Sequence, residues 1–119
     1  MSGTRLGKLI QLLHQRTDEK KIVWEQTIDE DVYQVAFPSY IIQIGYKSVT
    51  RGFEEETDYF IRILDEDNKT IEEATDIDLE SELENAYKTM ENLHRSARRQ
   101  AMGVDKALDS ILSNLENNN

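Results

Sequence analysis

A short basic segment in the last third of the chain has residue types that could bind an anion. Its sequence is His94-Arg95-Ser96-Ala97-Arg98-Arg99. On a helix, Arg95, Arg98 and Arg99 share one side at positions i, i+3 and i+4, where they could hold a phosphate or an acidic peptide. The same spacing lets them pair with acidic residues of this chain or of a second copy. We prefer this structural interpretation because the preceding segment is strongly acidic, and RNA contact is the minor alternative because no aromatic stacking platform accompanies the arginines.

The segment Asp65-Glu66-Asp67-Asn68-Lys69-Thr70 begins like a calcium-binding loop. Its fifth position should supply an oxygen ligand but is Lys69, and its sixth should be the glycine of a sharp turn but is Thr70. We therefore predict a hairpin turn here. The sequence contains no metal-ligand or cofactor motif that would replace it as a candidate.

The remaining residues with catalytic chemistry form no recognisable pattern. His14 and His94 lie near the ends of separate helical segments without metal-binding spacing, so we interpret each as a surface or boundary residue. None of the seven serines is flanked by glycine as in a nucleophile elbow. The lack of cysteine excludes disulfides, zinc-thiolate sites and thiol nucleophiles. The sequence therefore predicts a protein that is not an enzyme and has no cofactor.

The composition is typical of one folded domain. The chain has 119 residues, of which 38% are hydrophobic and 32% are charged. We expect one core from about residue 5 to residue 113, with residues 1–4 and 114–119 frayed. No apolar run approaches the roughly 20 residues of a membrane span, and the N-terminus lacks a secretory signal. Together with the lack of cysteine, these features predict a cytoplasmic protein with no membrane contact.

The negative charge is concentrated in one region, which we call the acidic band. Residues 54–91 contain 15 acidic and three basic residues, a local net charge of −12, whereas the rest of the chain carries +2. A surface of this kind disfavours nucleic acid as a partner, because binding phosphates needs a basic face. Our preferred interpretation is a solvated surface that keeps the protein soluble.

Hydrophobic periodicity predicts one helix followed by about five strands. Residues 6–16 have an apolar face at helical spacing. The strands are predicted at residues 22–27, 32–37, 40–46, 58–64 and 70–74, and short turns between them indicate an antiparallel meander. The segment 47–57 is predicted to be a long hairpin loop or two strand ends that splay apart.

The C-terminal region, residues 79–115, has the longest periodic pattern. Its mean apolar spacing of 3.6 residues predicts a long helix that packs on the sheet. Thr75, Asp76 or Asp78 could cap its start. Gly103 is the one interruption, and we leave open a single helix or two shorter ones, with a slight preference for a break or bend there. The fold class is therefore α+β.

The function predicted from these features is a non-enzymatic protein-interaction or regulatory module, with an unidentified protein partner. Several strands have apolar residues on both faces, and a homodimer is one way to bury the second face. We place the C-terminal helical region in that interface, with the following interaction residues as candidates besides the three arginines: Leu108, Ile111, Leu112 and Leu115. The alternatives are an acidic inhibitor of a basic nucleic-acid-binding protein, or an enzyme or ligand-binding domain whose pocket the sequence does not reveal.

Overall fold

An N-terminal helix, five strands and two C-terminal helices follow one another in the computed structural model, which describes residues 2–117. The elements are α1 (Ser2–Asp18), β1 (Glu25–Gln26), β2 (Tyr33–Ala36), β3 (Ile41–Arg51), β4 (Glu54–Leu64), β5 (Thr70–Thr75), α2 (Ala86–Ala101) and α3 (Val104–Asn117). The strands form one antiparallel sheet in the order β1-β2-β3-β4-β5. The predicted α+β class and five-stranded meander are confirmed. No helix within residues 2–117 is both long and apolar enough to cross a membrane.

Strands β3 and β4 form a hairpin that is longer than predicted. Their pairing continues without interruption to Arg51 and Glu54, and Gly52, with φ of 67°, lies in the two-residue turn. The predicted loop or splayed ends at residues 47–57 are therefore wrong. Arg51 bonds the carboxylates of Glu56 and Asp58, which lets this charged stretch pair as strand.

The core lies between the sheet and the two helices α1 and α2. Helix α1 supplies Ile10, and α2 supplies Met90, Leu93 and Ala97, all fully buried. They pack against one face of the sheet, where Ile44 is also fully buried. The predicted packing of the C-terminal helical region on the sheet is thus achieved through α2.

The only tryptophan ties the ends of α1 and α2 together. Trp24 is 1% exposed, and its indole Nε1 donates to Thr17 Oγ1 at 2.8 Å. Its backbone N–H donates to Gln100 Oε1 at 2.6 Å. Thr17 in turn donates to the carbonyl of Leu13. A buried indole with its polar atom satisfied fixes this end of the helical layer.

Helix α2 begins later than the periodic pattern predicts. Leu79 and Leu83 are buried, but they lie in successive turns before Asn85, whose φ of 52° is incompatible with a continuing helix. Thr75 and Asp78 exchange hydrogen bonds across one of these turns, so the predicted caps close a turn instead of a helix. The predicted helix start at residue 79 is wrong because isolated turns also place residues four apart on one side.

Gly103 separates two helices, the alternative slightly preferred from sequence. Its φ of 65° is left-handed, and its N–H donates to the carbonyl of Gln100 at 3.2 Å, as at the end of many helices. Its own carbonyl accepts the N–H of Ala107 at 3.0 Å, which starts α3. One glycine therefore ends α2 and begins α3.

Helix α3 extends away from the rest of the molecule. It packs against α2 alone among the described elements and contributes no buried side chain. The radius of gyration is 16.3 Å, larger than the about 13.5 Å expected for a compact chain of this length. Helices α1 and α3 reach Ser2 and Asn117, further toward both ends than the predicted core, whereas residues 1, 118 and 119 of the predicted frayed ends lie outside the described part of the chain.

Phe60, on the second face of the sheet, is covered by side chains of the same chain. Phe60 is 3% exposed, and the guanidinium of Arg62 and the ammonium of Lys47 lie 4.5 and 5.3 Å from its ring centre. Glu73 holds both cations through contacts of 2.8 and 3.1 Å. Gly45 provides the space beneath the ring. Phe60 therefore needs no second copy of the chain to bury it.

Candidate functional site

The apolar side of α3 is a surface that the fold itself does not use. Leu108, Ile111, Leu112 and Leu115 are 46%, 54%, 53% and 66% exposed. Their spacing places them on one side of the helix, and we call this surface the α3 face. These are four of the residues that the sequence singled out, and the structure brings them together. Contiguous exposed aliphatic side chains of this kind are typical of a binding surface.

The two edges of the α3 face differ in charge. Helical spacing places Asp105, Asp109 and Glu116 along one edge, whereas Ala107 and Asn114 lie along the other. Asp105 is paired with Arg99 of α2, with 2.9 Å between Oδ1 and Nη2. The α3 face therefore has one acidic and one neutral edge.

The three candidate arginines are all exposed on α2, but they face different surroundings. Arg99 pairs with Asp105, so its acidic partner belongs to α3 and not to the acidic band. Arg98 lines a cavity of about 280 Å³ together with Asp29, Glu30 and Asp31. The charge of Arg95 lowers the pKa of Tyr59, against burial, which is the largest effect and raises it. The structure thus does not gather the three guanidinium groups around one anion site.

A second apolar surface lies between α1 and the sheet, and we call it the α1 groove. It has a volume of about 380 Å³ and is lined by Leu6, Leu9 and Ile63, with Arg5 and Glu72 at its edges. The three aliphatic side chains are only partly buried at the margin of the core. The basic residue Arg5 belongs to α1, and the acidic residue Glu72 belongs to β5. The two edges of the groove therefore carry opposite charges.

His94 is buried, so its interpretation as a surface or boundary residue is wrong. It is 6% exposed, and its Nε2 lies 2.8 Å from the carbonyl oxygen of Asp31. A carbonyl only accepts, so Nε2 carries the hydrogen. Three tyrosine rings surround the imidazole at centre distances of 5.4 to 5.6 Å: Tyr33, Tyr46 and Tyr59. His14 is different, since its side chain is 30% exposed and contacts Asp18 at 3.2 Å.

The surroundings of His94 favour its neutral form. Burial lowers its pKa from the ordinary value of 6.5, against the hydrogen bond to Asp31. The Tyr46 hydroxyl donates to Asp31 Oδ2 at 2.9 Å, and this bond to a carboxylate raises the pKa of Tyr46. Within residues 2–117, no serine or threonine hydroxyl bonds to His94. The cluster therefore fixes the turn at residues 29–31 against α2 and places no nucleophile beside the imidazole.

The acidic band forms a cleft near the end of the long hairpin. The cleft has a volume of about 530 Å³ and is lined by Glu55, Glu56, Thr57, Asp58, Asp76, Ile77, Glu80 and Tyr87. Two hydrogen bonds from Arg51 lower the pKa of Asp58. Burial raises the pKa of Asp76, although the Tyr59 N–H donates to it at 2.8 Å. We call this surface the acidic cleft.

Sequence reasoning identified the α3 face and missed both the His94 cluster and the α1 groove. His94 and Asp31 are 63 residues apart in sequence, so no local pattern joins them. The groove combines residues of α1, β4 and β5. The sequence predicts each of these elements but not how close α1 lies to the two strands. No protein-family model matches the chain, and neither a search of curated proteins nor a search of solved structures found a match.

Proposed function

We propose that this protein is a non-enzymatic protein-interaction module that forms a homodimer through α3. The observation that supports the proposal is the α3 face, which leaves four large aliphatic side chains 46% to 66% exposed on a helix with no buried residue. The body of the protein completes its core without them. A helix that adds nothing to its own core but keeps an apolar face is suited to binding another protein.

The expected affinity follows from the size of the α3 face. Burying the exposed half of a leucine or isoleucine contributes about 1 kcal/mol. Four such side chains on each of two copies contribute about 8 kcal/mol before the cost of association is subtracted. These side chains alone therefore support a dissociation constant no tighter than about 1 µM. We expect a dimer that forms and dissociates with protein concentration.

The charge of α3 favours a protein partner over a membrane surface. Helices that lie on anionic lipid usually have many lysines and arginines on the polar face. Helix α3 has Lys106 as its one basic residue against three acidic ones. The chain as a whole has a net charge of −10, which adds repulsion from anionic lipid.

Light scattering over a range of protein concentration tests the proposal. The mass should rise from 13.9 kDa toward twice that value between about 1 and 300 µM. The variant Ile111→Lys should stay monomeric in this range, because it places a charge in the α3 face. Ser110→Lys is the matched control, since it adds the same charge on the opposite side of α3, and it should still dimerise. A mass of 13.9 kDa for the unmodified chain at every concentration would overturn the proposal.

A second candidate function is inhibition of a basic nucleic-acid-binding protein through the acidic cleft. The supporting observation is that carboxylates and two exposed apolar side chains, Ile77 and Tyr87, line one concavity. A pull-down at low salt should enrich basic proteins and lose them at high salt. The variant Glu55→Gln/Glu80→Gln should reduce this enrichment more than the control Glu25→Gln/Glu116→Gln, which removes the same charge elsewhere. Equal effects of both variants would leave only non-specific attraction.

A further inference from the structure

We infer that the α3 face of each copy binds in the α1 groove of the other copy, so that the exchange is reciprocal. This inference rests on the proposed homodimer and adds where each helix docks. It pairs two apolar surfaces of the chain, the α3 face and the α1 groove. A reciprocal contact uses the same surfaces on both copies, as a closed two-fold dimer requires.

The buried area distinguishes this arrangement from a simple pair of α3 helices. A 14-residue helix is about 21 Å long, and its apolar side with the flanking atoms offers on the order of 400 Å². Packing α3 on α3 would bury about 800 Å² in total, which is below the size of a stable interface. Docking in two grooves would cover the same two α3 faces and, in addition, the surface of the two grooves. Reciprocal docking therefore buries more area than α3 pairing does.

The charges on the edges of the two surfaces are complementary. One edge of the α3 face carries Asp109 and Glu116, and one edge of the groove carries Arg5, with Lys8 three residues further along α1. The other edge of the groove carries Glu72. The neutral edge of the α3 face can lie beside Glu72 without repulsion. The charge difference between the two edges of the α3 face and that between the two edges of the groove together specify the direction of α3 in the groove.

A pair of α3 helices lacks this complementarity. In the antiparallel arrangement, the acidic edges of both copies lie side by side, which brings Asp109 close to Glu116 of the second copy. In the parallel arrangement, each acidic edge meets a neutral one, so no charges attract. The α1 groove offers α3 both an apolar floor and, at one edge, the basic side chain of Arg5.

Disulfide trapping tests the inference directly, because the chain has no cysteine of its own. The probes are the single variants Leu9→Cys and Ile111→Cys, mixed in equal amounts and mildly oxidised, with one variant carrying a mass tag. We expect the mixed disulfide as the main product. The control mixture of Gln11→Cys with Ile111→Cys should give little, since Gln11 lies on the side of α1 away from the groove.

The other outcomes each overturn the inference in a recognisable way. Disulfides between two Ile111→Cys chains would show that α3 pairs with α3. An internal disulfide in a monomer of 13.9 kDa, formed by a chain that carries both Leu9→Cys and Ile111→Cys, would show that α3 folds back on its own α1 groove. Absence of all these disulfides in a sample that scatters as a dimer would place the interface elsewhere. Failure of the proposed function is distinct, because the unmodified chain would then scatter as a monomer.

Charge reversal provides a second test that leaves the apolar surfaces intact. Arg5→Glu should weaken dimerisation about three- to tenfold at low salt, because it replaces attraction to the acidic edge with repulsion. Adding Asp109→Arg to the same chain should restore most of the loss. Lys69→Glu makes the same charge change on the β4–β5 turn and should have a smaller effect. An equal loss for Arg5→Glu and Lys69→Glu, without restoration, would contradict docking in the groove.

Discussion

Helices α2 and α3 are neighbours of similar length, and both have an apolar stripe at helical spacing, yet only one buries it. Helix α2 buries Ala86, Met90, Leu93, His94 and Ala97, whereas α3 buries nothing. The more hydrophobic of the two overall is α3. The difference shows that periodicity indicates a face suited to packing but does not say what packs on it. In α2 the sheet and α1 provide the packing, and in α3 we propose that a second copy does.

The largest expected difference between the two helices is the cost of removing a leucine. Leu93→Ala should lower the free energy of unfolding by about 2 to 5 kcal/mol, because Leu93 is fully buried and the substitution leaves a cavity. Leu112→Ala should lower it by less than about 0.5 kcal/mol, since Leu112 is 53% exposed. Urea denaturation at about 1 µM protein, where the chain is monomeric, measures both. A similar loss for Leu112→Ala would mean that α3 packs on its own body.

Glycine-to-alanine substitutions should show a smaller difference in stability between the body and the connection to α3. A Cβ on Gly45 would lie 2.5 Å from Phe60 Cζ, so Gly45→Ala should cost about 1 to 3 kcal/mol in urea denaturation. Gly103→Ala meets nothing within 4 Å and should cost about 1 kcal/mol through its φ of 65° alone.

Gly52→Ala is the matched control for the connection. Gly52 also has positive φ, at 67°, and open space around it. Gly52→Ala should lower the free energy of unfolding, measured by urea denaturation, as much as Gly103→Ala does, but it should leave dimerisation unchanged. Gly103→Ala should alter dimerisation by changing the direction of α3. Equal dimerisation in both variants would show that the direction of α3 does not matter.

The smallest expected effect is a pH dependence that belongs to the body and not to α3. Burial lowers the pKa of His94 in the folded protein, so the unfolded chain takes up the proton first as pH falls through the ordinary value of 6.5. The contribution of neutral His94 to the free energy of unfolding should therefore be complete above pH 7. The free energy of unfolding should decrease from pH 7 to 5.5, by at most about 1.4 kcal/mol per pH unit. Urea denaturation at several pH values measures this slope.

Two variants assign the slope to its residue. His94→Gln keeps an N–H donor for the Asp31 carbonyl but does not titrate, so it should remove most of the decrease. His14→Gln should leave the decrease in place, because it does not touch the buried cluster. Loss of the slope in His14→Gln instead would assign the effect to the α1 surface. Helix α3 contains no histidine.

The elements that the sequence predicted well are those whose pattern is local. The first helix, the meander and the interruption at Gly103 all depend on residues within a few positions of one another. The same is true of the α3 face, since Leu108 to Leu115 lie on one helix. Local patterns thus predicted the order of the elements and the surface that we propose as the interface.

The predictions that were wrong depend on contacts and turns that the apolar pattern does not reveal. The charged ends of β3 and β4 pair because Arg51 bonds Asp58 across the hairpin, a contact that alternation of apolar residues does not reveal. His94 is buried because the turn at residues 29–31 and three tyrosines from separate strands meet above α2. Leu79 and Leu83 kept a helical spacing without a helix, since turns satisfy the same period. Composition and periodicity carry no information about such contacts.

The position of Gly103 also has a consequence for how this protein can evolve. Every fully buried side chain of the described residues precedes Gly103, so a substitution in the core of α2 alters folding, whereas one on the α3 face has little effect on it. If the α3 face is the interface that we propose, changes there alter dimerisation without unfolding the body. Lineages that inherit the same body could in this way diverge in whether and how tightly their copies recognise one another.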